Sequence, residues 1–597
     1  MRVALLTEGG YPYARGEGGA WCDRLVRGLP GHDFEVYALS RSERTEAGGR
    51  VELPAQVRRV RSERLWGAPP RDDGRCARAG RRARRRRFLH HYRELAAALA
   101  GGDESAAGGA GSAAGVGVGV GVGVLGISDA GADGYGGARA DRFASGLYGL
   151  AELAREEGGL PGLLRSEHAL RVLEDVCRTP GARPLLTGIG VVDLLTAAEL
   201  LERALRPLSA PWYEPDGLGS ADLCHAVSGG PATLPGLLAK RFFGTPLLVT
   251  EYGVRLREAL LAHRASGLSA EVRVLLTAFH RLLAGESYRE AALITPGSTH
   301  ARRWQERCGA DRSRLRTVYP GMEAARFARA GEAAEAAGAD APTGHSDPTL
   351  TWVGRPDPAK DLIALLHAFD AIRTAEPGAR LRILHVRGGD DAYLAGCRTL
   401  AAQLFPDEAR DAVTVGESPV TFEEIGSPGA PQLADAYASG DVVVLSSIVE
   451  GFPLSLVEAM FCGRATVSTD VGAVREVIGG TGLVVPPRNP KALADACLAL
   501  LREPERAARL GAAARERALE LFTVERCEGA FREIYLELVA HWPVRREPLR
   551  DTDGVPRPFA EPAEAHVPGR LTPVLPAPTW ARRPQPAGLP FHGGDRT

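Results

Sequence analysis

Short β-branched runs, each followed by a polar loop and then by apolar residues at helical spacing, recur along most of this chain. Arg2–Leu6 reads as a strand, Thr7–Gly19 (TEGGYPYARGEGG) as a glycine-rich loop, and Ala20–Leu29 as a helix with Trp21, Leu25 and Leu29 on one face. Glu35–Leu39 is a second strand. A further unit runs Asp222–Val227, helix Leu234–Phe243, Pro246–Thr250, and the next runs Ala291–Thr295, helix Thr299–Cys308, Arg314–Val318. The pattern restarts with strand Leu350–Val353, helix Leu362–Thr374, strand Arg382–Val386, helix Cys397–Leu404, strand Val413–Gly416 and helix Gln432–Ser439. Asp441–Ser446 is then a buried-type strand and Ser447–Gly451 a polar turn. Pro453 suits a first helical position, Leu454, Val457 and Phe461 make one apolar face, and Gly463 precedes another strand at Ala465–Ser468. Lys491–Leu501 and Arg506–Val539 are long amphipathic helical stretches. Strands alternating with helices at this spacing predict parallel sheets covered on both faces, with ligands at the carboxyl ends of the strands.

The pattern breaks in three places. Residues 62–200 fit it poorly. Arg71–Arg87 holds nine arginines in 17 residues, and five consecutive Gly-Val pairs follow within Ala100–Gly126, which reads as a flexible insertion. Helical segments resume near Phe143, including Val191–Leu205. Phe327–Pro348, rich in Ala, Gly and Glu, reads as an interdomain linker. From Pro543 onward 12 of 55 residues are proline, which predicts a disordered tail. The expected organisation is a first domain over 1–327, a linker over 328–348, a second domain over 349–542 and the tail over 543–597.

Composition narrows the class. A chain of 597 residues is too long for one core. A net charge of −1 gives no overall pull toward nucleic acid or anionic membrane. Nine cysteines without a C-x-x-C pair predict buried thiols in a reducing compartment. With neither a signal-peptide pattern nor an apolar run of membrane-spanning length, the expected location is the cytoplasm.

The candidate chemistry lies at loops that precede helices. Glu450 sits in the loop after one strand and Glu458 on the second turn of the helix that follows. Backbone N–H groups between them favour a phosphate, and the two carboxylates can accept hydrogen bonds from sugar hydroxyls on either side. A nucleotide sugar is the ligand this geometry suggests, and from spacing alone a plain βαβ unit with two solvated glutamates fits equally well. The glycine loop before Ala20 is a second candidate strand–loop–helix anion site, although its spacing matches no established phosphate motif and, on the residues alone, a plain turn fits better. His225 and Glu251-Tyr252-Gly253 fall at or just past two strand ends.

The segment E-G-F-P-L-S-L-V-E-A-M (450–460) resembles the E-x7-E motif of retaining glycosyltransferases of family 4, which have the GT-B fold. Gly354-Arg355-Pro356-Asp357-Pro358-Ala359-Lys360-Asp361 resembles that family's G-R-x4-K-D loop, and the first forty residues are similar to the opening of its PelF-type members. The resemblance covers roughly 1–40 and 210–540. It implies two Rossmann-like domains facing a cleft, with Arg355 and Lys360 on the donor diphosphate, Glu450 on the hexose and Glu458 on the ribose. Gly354, Gly451, Phe452, Leu454, Ser455 and Leu456 would line the donor, and Gly16, Gly18 and Gly19 would be points of close approach. Fixed cations can stabilise the departing diphosphate, so no metal or other cofactor is expected. The chain departs from the family at Tyr252, where PelF-type proteins carry histidine in T-E-H-G. A phenol can bind a sugar but cannot carry a proton near neutral pH as imidazole does, and His225 is a candidate substitute. The implied activity is hexose transfer from a nucleoside-diphosphate sugar, UDP-linked by likeness to PelF, to a saccharide acceptor in exopolysaccharide synthesis. Membrane-bound synthase subunits are candidate partners. A nucleotide-sugar epimerase and a catalytically weak nucleotide-sugar-binding subunit are the competing readings.

Overall fold

The structure, a computed structural model, describes residues 1–13, 16–47, 49–67, 81–101, 137–337, 347–406 and 418–544. Twelve strands form two parallel six-stranded sheets. The first contains β1 (Arg2–Glu8), β2 (Asp33–Ser40), β3 (Val57–Arg64), β4 (Leu223–Ala226), β5 (Leu247–Glu251) and β6 (Leu293–Pro296), in the order β3-β2-β1-β4-β5-β6. The second contains β7 (Thr349–Gly354), β8 (Arg380–His385), β9 (Val420–Glu424), β10 (Val442–Leu445), β11 (Ala465–Thr469) and β12 (Leu483–Val485), in the order β12-β11-β10-β7-β8-β9. Counted from its own first strand, each sheet therefore reads 3-2-1-4-5-6. That order reverses between its first and fourth strands, so each domain opens a crevice beside the carboxyl end of its first strand. β4, β5 and β10 are buried at every position, which is why none alternates apolar with polar and β10 is a continuous run of Val and Leu. Two doubly wound domains facing each other make a GT-B fold.

Much of the poorly matching stretch is ordered. Helices Arg81–Ala100, Ala138–Glu157, Glu167–Arg178 and Val191–Leu205 pack with the helix Ala270–Glu290 into one core continuous with the first sheet, with Phe88, Tyr92, Leu147, Leu173 and Phe279 buried together. Two glycines let these helices meet. A Cβ at Gly146 would lie 2.6 Å from the Leu95 nitrogen, and one at Gly149 would lie 2.1 Å from Nδ1 of His91. Residues 81–101 and 137–205 are thus a helical layer of the first domain. The Gly-Val run, the predicted strand at 413–416 and nearly all of the proline-rich tail lie outside the described residues.

Two smaller expectations are also corrected. Arg314–Val318 forms no regular strand; it runs beside β6 through backbone bonds from Arg316 and Val318. The segment expected to be linker begins with a helix, Ala328–Ala337, whose Glu335 pairs with Arg515 at 2.5 Å.

The last long amphipathic stretch is two helices, Pro504–Leu521 and Val524–His541, and the second crosses back to the first domain. There Phe531 and Tyr535 enter the core beneath β1 and the helix Glu17–Gly28. His225 of β4 is the polar pin of this contact. Its Nδ1 meets the Tyr535 hydroxyl at 2.7 Å, its Nε2 meets Thr250 Oγ1 at 2.6 Å, and its ring stacks on Phe531. Fully buried, the imidazole is held neutral with its pKa pushed down to about 3. His225 is therefore structural and does not stand in for the missing family histidine.

Replacing Tyr535 with Phe would leave Nδ1 of a buried imidazole without its partner. We expect Tyr535→Phe to lower stability in urea unfolding by about 1–3 kcal/mol.

Candidate functional site

The site grows from the carboxyl ends of β7 and β10. Beyond Gly354 the chain enters a tight loop in which Asp357 caps a single turn, its Oδ1 accepting from Ala359 N at 2.8 Å. Asp361, in the left-handed region at φ 49°, caps the helix Leu362–Ala375 through Ala364 N. These two aspartates leave Lys360 little freedom. The loop is then stitched to the one after β10: Ser446 Oγ donates to the Lys360 carbonyl at 2.7 Å, and Ile448 N donates to that of Ala359 at 2.8 Å.

This backbone seam aligns the two charged side chains. Lys360 Nζ donates to Glu450 Oε1, which also accepts from Ser447 Oγ at 2.8 Å. The Glu450 side chain is only 10% exposed and that of Lys360 25%. Lys360 keeps two of its three donors for a ligand, and the second carboxylate oxygen of Glu450 has no partner among the described residues. Arg355 is exposed at the other end of the loop and makes no ion pair among the described residues.

Glu458 lies on the second turn of the helix Leu454–Phe461, where its Oε2 accepts from Tyr437 Oη at 2.6 Å. Burial pushes its carboxyl up to about 7, with the charge of Glu17 adding to the rise and the Tyr437 bond and Arg326 opposing it. Glu17 opens the helix beyond Gly16 in the first domain, so the glycine loop stands within electrostatic reach of Glu458 across the crevice. Gly16 and Gly18 are exposed with no atom within 4 Å of an added Cβ, whereas Gly19 is buried.

Of the three backbone N–H groups expected to grip a phosphate, two are already used. Leu454 N donates to the Phe452 carbonyl and Leu456 N to that of Pro453, which leaves Ser455 N as the one without a carbonyl partner among the described residues. The Phe452 ring is half-buried against Tyr319 and Phe522, and Leu456 is buried, so the Leu456 side chain does not line the crevice. Tyr252 is corrected in the same way. Its hydroxyl lies 3.8 Å from Cys527 Sγ and its ring meets Trp21 edge-on at 5.0 Å, so the phenol faces the core and not the crevice.

The first domain supplies polar groups whose partners sequence reasoning does not reveal. Glu251, the last residue of β5, is fully buried and accepts from Gly229 N and Arg255 N on one oxygen, and from Tyr288 Oη and Gln305 Nε2 on the other, at 2.5–3.1 Å. It ties together the loops that follow β4, β5 and β6. Glu8, ending β1, accepts from Arg255 Nη2 at 2.8 Å. Glu476 of the second domain accepts from Thr299 N at 2.8 Å and from its hydroxyl, capping the helix Thr299–Arg307 of the first. The only hint of Glu251 in the sequence is an acid that directly continues an apolar strand.

Gly472 fixes the loop that carries Glu450. It sits at φ 58°, and a Cβ there would be 2.6 Å from the carbonyl oxygens of Glu450 and Gly451. Gly472→Ala should cost at least about 1–3 kcal/mol in urea unfolding, because it combines a left-handed backbone with a clash. Gly451→Ala, whose Cβ would meet nothing within 4 Å, should leave stability within about 0.5 kcal/mol.

Comparison with known proteins places this geometry. A family model described as "Glycosyl transferases group 1" matches residues 347–503, and one described as a domain of unknown function, DUF3492, matches 1–112 and 134–313. The D-inositol 3-phosphate glycosyltransferase of Pseudarthrobacter chlorophenolicus is 32% identical over 309 residues, 50% of this chain and 67% of that protein. The protein of the same name from Rhodococcus erythropolis is 32% identical over 253 residues, 42% of this chain and 54% of its own length, so the chain spans about half of that relative. Among solved structures, the sucrose-phosphate synthase of Thermosynechococcus elongatus is 23% identical with a TM-score of 0.42, over 60% of this chain and 82% of its own. The chain belongs to the group 1 glycosyltransferases.

Proposed function

We propose that this chain transfers a hexose from a nucleoside-diphosphate sugar to a saccharide acceptor with retention of anomeric configuration, as PelF-type enzymes of exopolysaccharide synthesis do. The observation that carries the reading is the seam between the β7 and β10 loops, which sets Lys360 against Glu450 with Arg355 on the same loop. In this reading Arg355 and Lys360 hold the diphosphate, with Ser455 N adding one donor. As the glycosidic bond breaks, negative charge gathers on the phosphoryl oxygens, and prepositioned cations stabilise it without reorganising. Glu450 accepts from hexose hydroxyls and Glu458 from the ribose. The UDP-linked donor rests on the likeness to PelF alone. The curated relatives are named for an inositol phosphate acceptor, so phosphorylated polyols belong beside oligosaccharides in any acceptor screen. No metal is needed in this scheme.

A second reading has one observation behind it. With the Tyr252 hydroxyl turned toward Cys527, the position that carries histidine in PelF-type proteins offers the donor sugar no proton-carrying group. This favours a weakly catalytic subunit that binds nucleotide sugar within a synthase.

Thermal unfolding with UDP-, GDP- and ADP-sugars tests the binding step, because a ligand of the folded state raises the midpoint by mass action. One sugar nucleotide should raise it, and Arg355→Ala and Lys360→Ala should each weaken its binding about tenfold or more. Wild-type affinity in both variants would overturn the diphosphate assignment. Turnover with an acceptor, scored on the same protein, separates the transferase from the binding subunit.

Glu458 makes a second test. Ribose hydroxyls donate to the carboxylate form, while burial holds the carboxyl near 7. Affinity for a nucleotide sugar, whose diphosphate does not titrate in this range, should therefore be full above pH 7 and fall by up to about tenfold per pH unit below it. The groups acting on Glu458 are Tyr437, Glu17 and Arg326. Glu458→Gln should bind more weakly and lose the slope; an unchanged slope would remove Glu458 from the ribose.

A further inference from the structure

Two basic side chains of the first domain, Arg257 and His300, make no hydrogen bond or ion pair to an acid among the described residues. Arg257 lies in the first turn of the helix Arg255–Ala265, which follows β5. It is half-buried and makes no hydrogen bond or ion pair among the described residues, whereas its neighbour Arg255 is paired with Glu8. Burial lowers its pKa, and the charges that oppose the fall are those of Glu258 and, in the other domain, Glu450. Glu450 is already engaged by Lys360. His300 lies in the first turn of the helix Thr299–Arg307, after β6. Its Nε2 is sealed from solvent with no partner, and Arg257 is the strongest charge acting on it.

The geometry locates this pair. Thr299, next to His300, is bound to Glu476 of the helix Val474–Ile478. That helix follows Gly472, which is wedged against the Glu450 and Gly451 carbonyls. A continuous path of contacts therefore runs from the Glu450 loop across the crevice to His300, with Arg257 beside it. With Lys360 matched to Glu450, Arg355 and Arg257, one from each domain, have no ion-pair partner among the described residues. A nucleotide sugar carries two negative charges on its diphosphate.

We infer that Arg257, with His300 beside it, is the first domain's hold on phosphoryl oxygens in the crevice, so that the anion is gripped from both sides. The inference rests on the nucleotide-sugar reading. It adds a positioning residue from the domain opposite the Arg355–Lys360 loop. The phosphoryl group has two sources, the donor's diphosphate or a phosphate on the acceptor.

Titration calorimetry distinguishes them in wild type, Arg257→Met, which keeps the aliphatic packing and removes the charge, and Arg257→Lys. The probes are UDP, GDP and ADP, the matching nucleoside, and an inositol monophosphate added with the nucleotide saturating. If the donor is gripped, Arg257→Met weakens nucleoside-diphosphate binding about tenfold or more, leaves nucleoside binding unchanged, and Arg257→Lys recovers part of the loss. If the acceptor is gripped, nucleotide affinity is unchanged and inositol phosphate binding is lost. Wild-type affinity of Arg257→Met for every anion that the wild type binds overturns the inference while leaving the donor reading intact. Failure of the wild type to bind any nucleoside diphosphate overturns both.

Discussion

Everything in the second domain's half of the site depends on the seam that joins the loops after β7 and β10. The Lys360–Glu450 pair is largely shielded from water, and such a pair is not a strong source of stability, because desolvating two charges offsets most of their attraction. Its value is geometric. Two backbone-directed bonds, from Ser446 and Ile448, bring the loops into register before the charges meet. Asp357 and Asp361 hold Lys360 from behind, and Ser447 steadies the carboxylate. A carboxylate so fixed can orient a sugar hydroxyl, and an ammonium so fixed can face a phosphate, without the entropy of ordering two long side chains at the moment of binding.

The first domain is arranged differently. Its polar centre, Glu251, is buried and its carboxyl is raised by desolvation, yet four donors converge on it. Removing any one donor would leave a buried carboxylate short of a partner, so the loops after β4, β5 and β6 hold or fail together. Two contacts carry this rigidity to the other domain. One is the crossing helix Val524–His541, pinned through His225. The other is Glu476, whose carboxylate meets the positive end of the helix Thr299–Arg307. The first is dry. The second lies at the crevice and is exposed to water.

How far the sequence disclosed this follows from the range of the forces involved. The loops around Arg355–Lys360 and Glu450–Glu458 were legible because each is a local strand–loop–helix unit, the first with its own capping aspartates. The central strands of both sheets were legible for the same reason, whereas the edge strands β3, β9 and β12 were not predicted. His225 was not. It sits in a strand buried on both faces, so period-2 alternation could not say which side it points to, and the helix that covers it comes from 310 residues further along. Tyr252 misled similarly, since the thiol it meets belongs to that same helix. The helical layer between β3 and β4 hid behind arginine- and glycine-rich composition, although the periodicity of its buried face was present once Phe88, Tyr92 and Leu95 are read together.

Charge accounts for why the two halves need each other. At the phosphate end of the site the second domain presents Arg355 and Lys360, with Lys360 already paired to Glu450. The first domain adds Arg257, which has no ion pair among the described residues, while its neighbour Arg255 is bound to Glu8 and Glu17 acts on Glu458 at the ribose end. On the proposed reading, a diphosphate in the crevice is matched only when both domains reach it. Cations held near one another repel, and a phosphoryl group placed between them turns that repulsion into attraction on both sides.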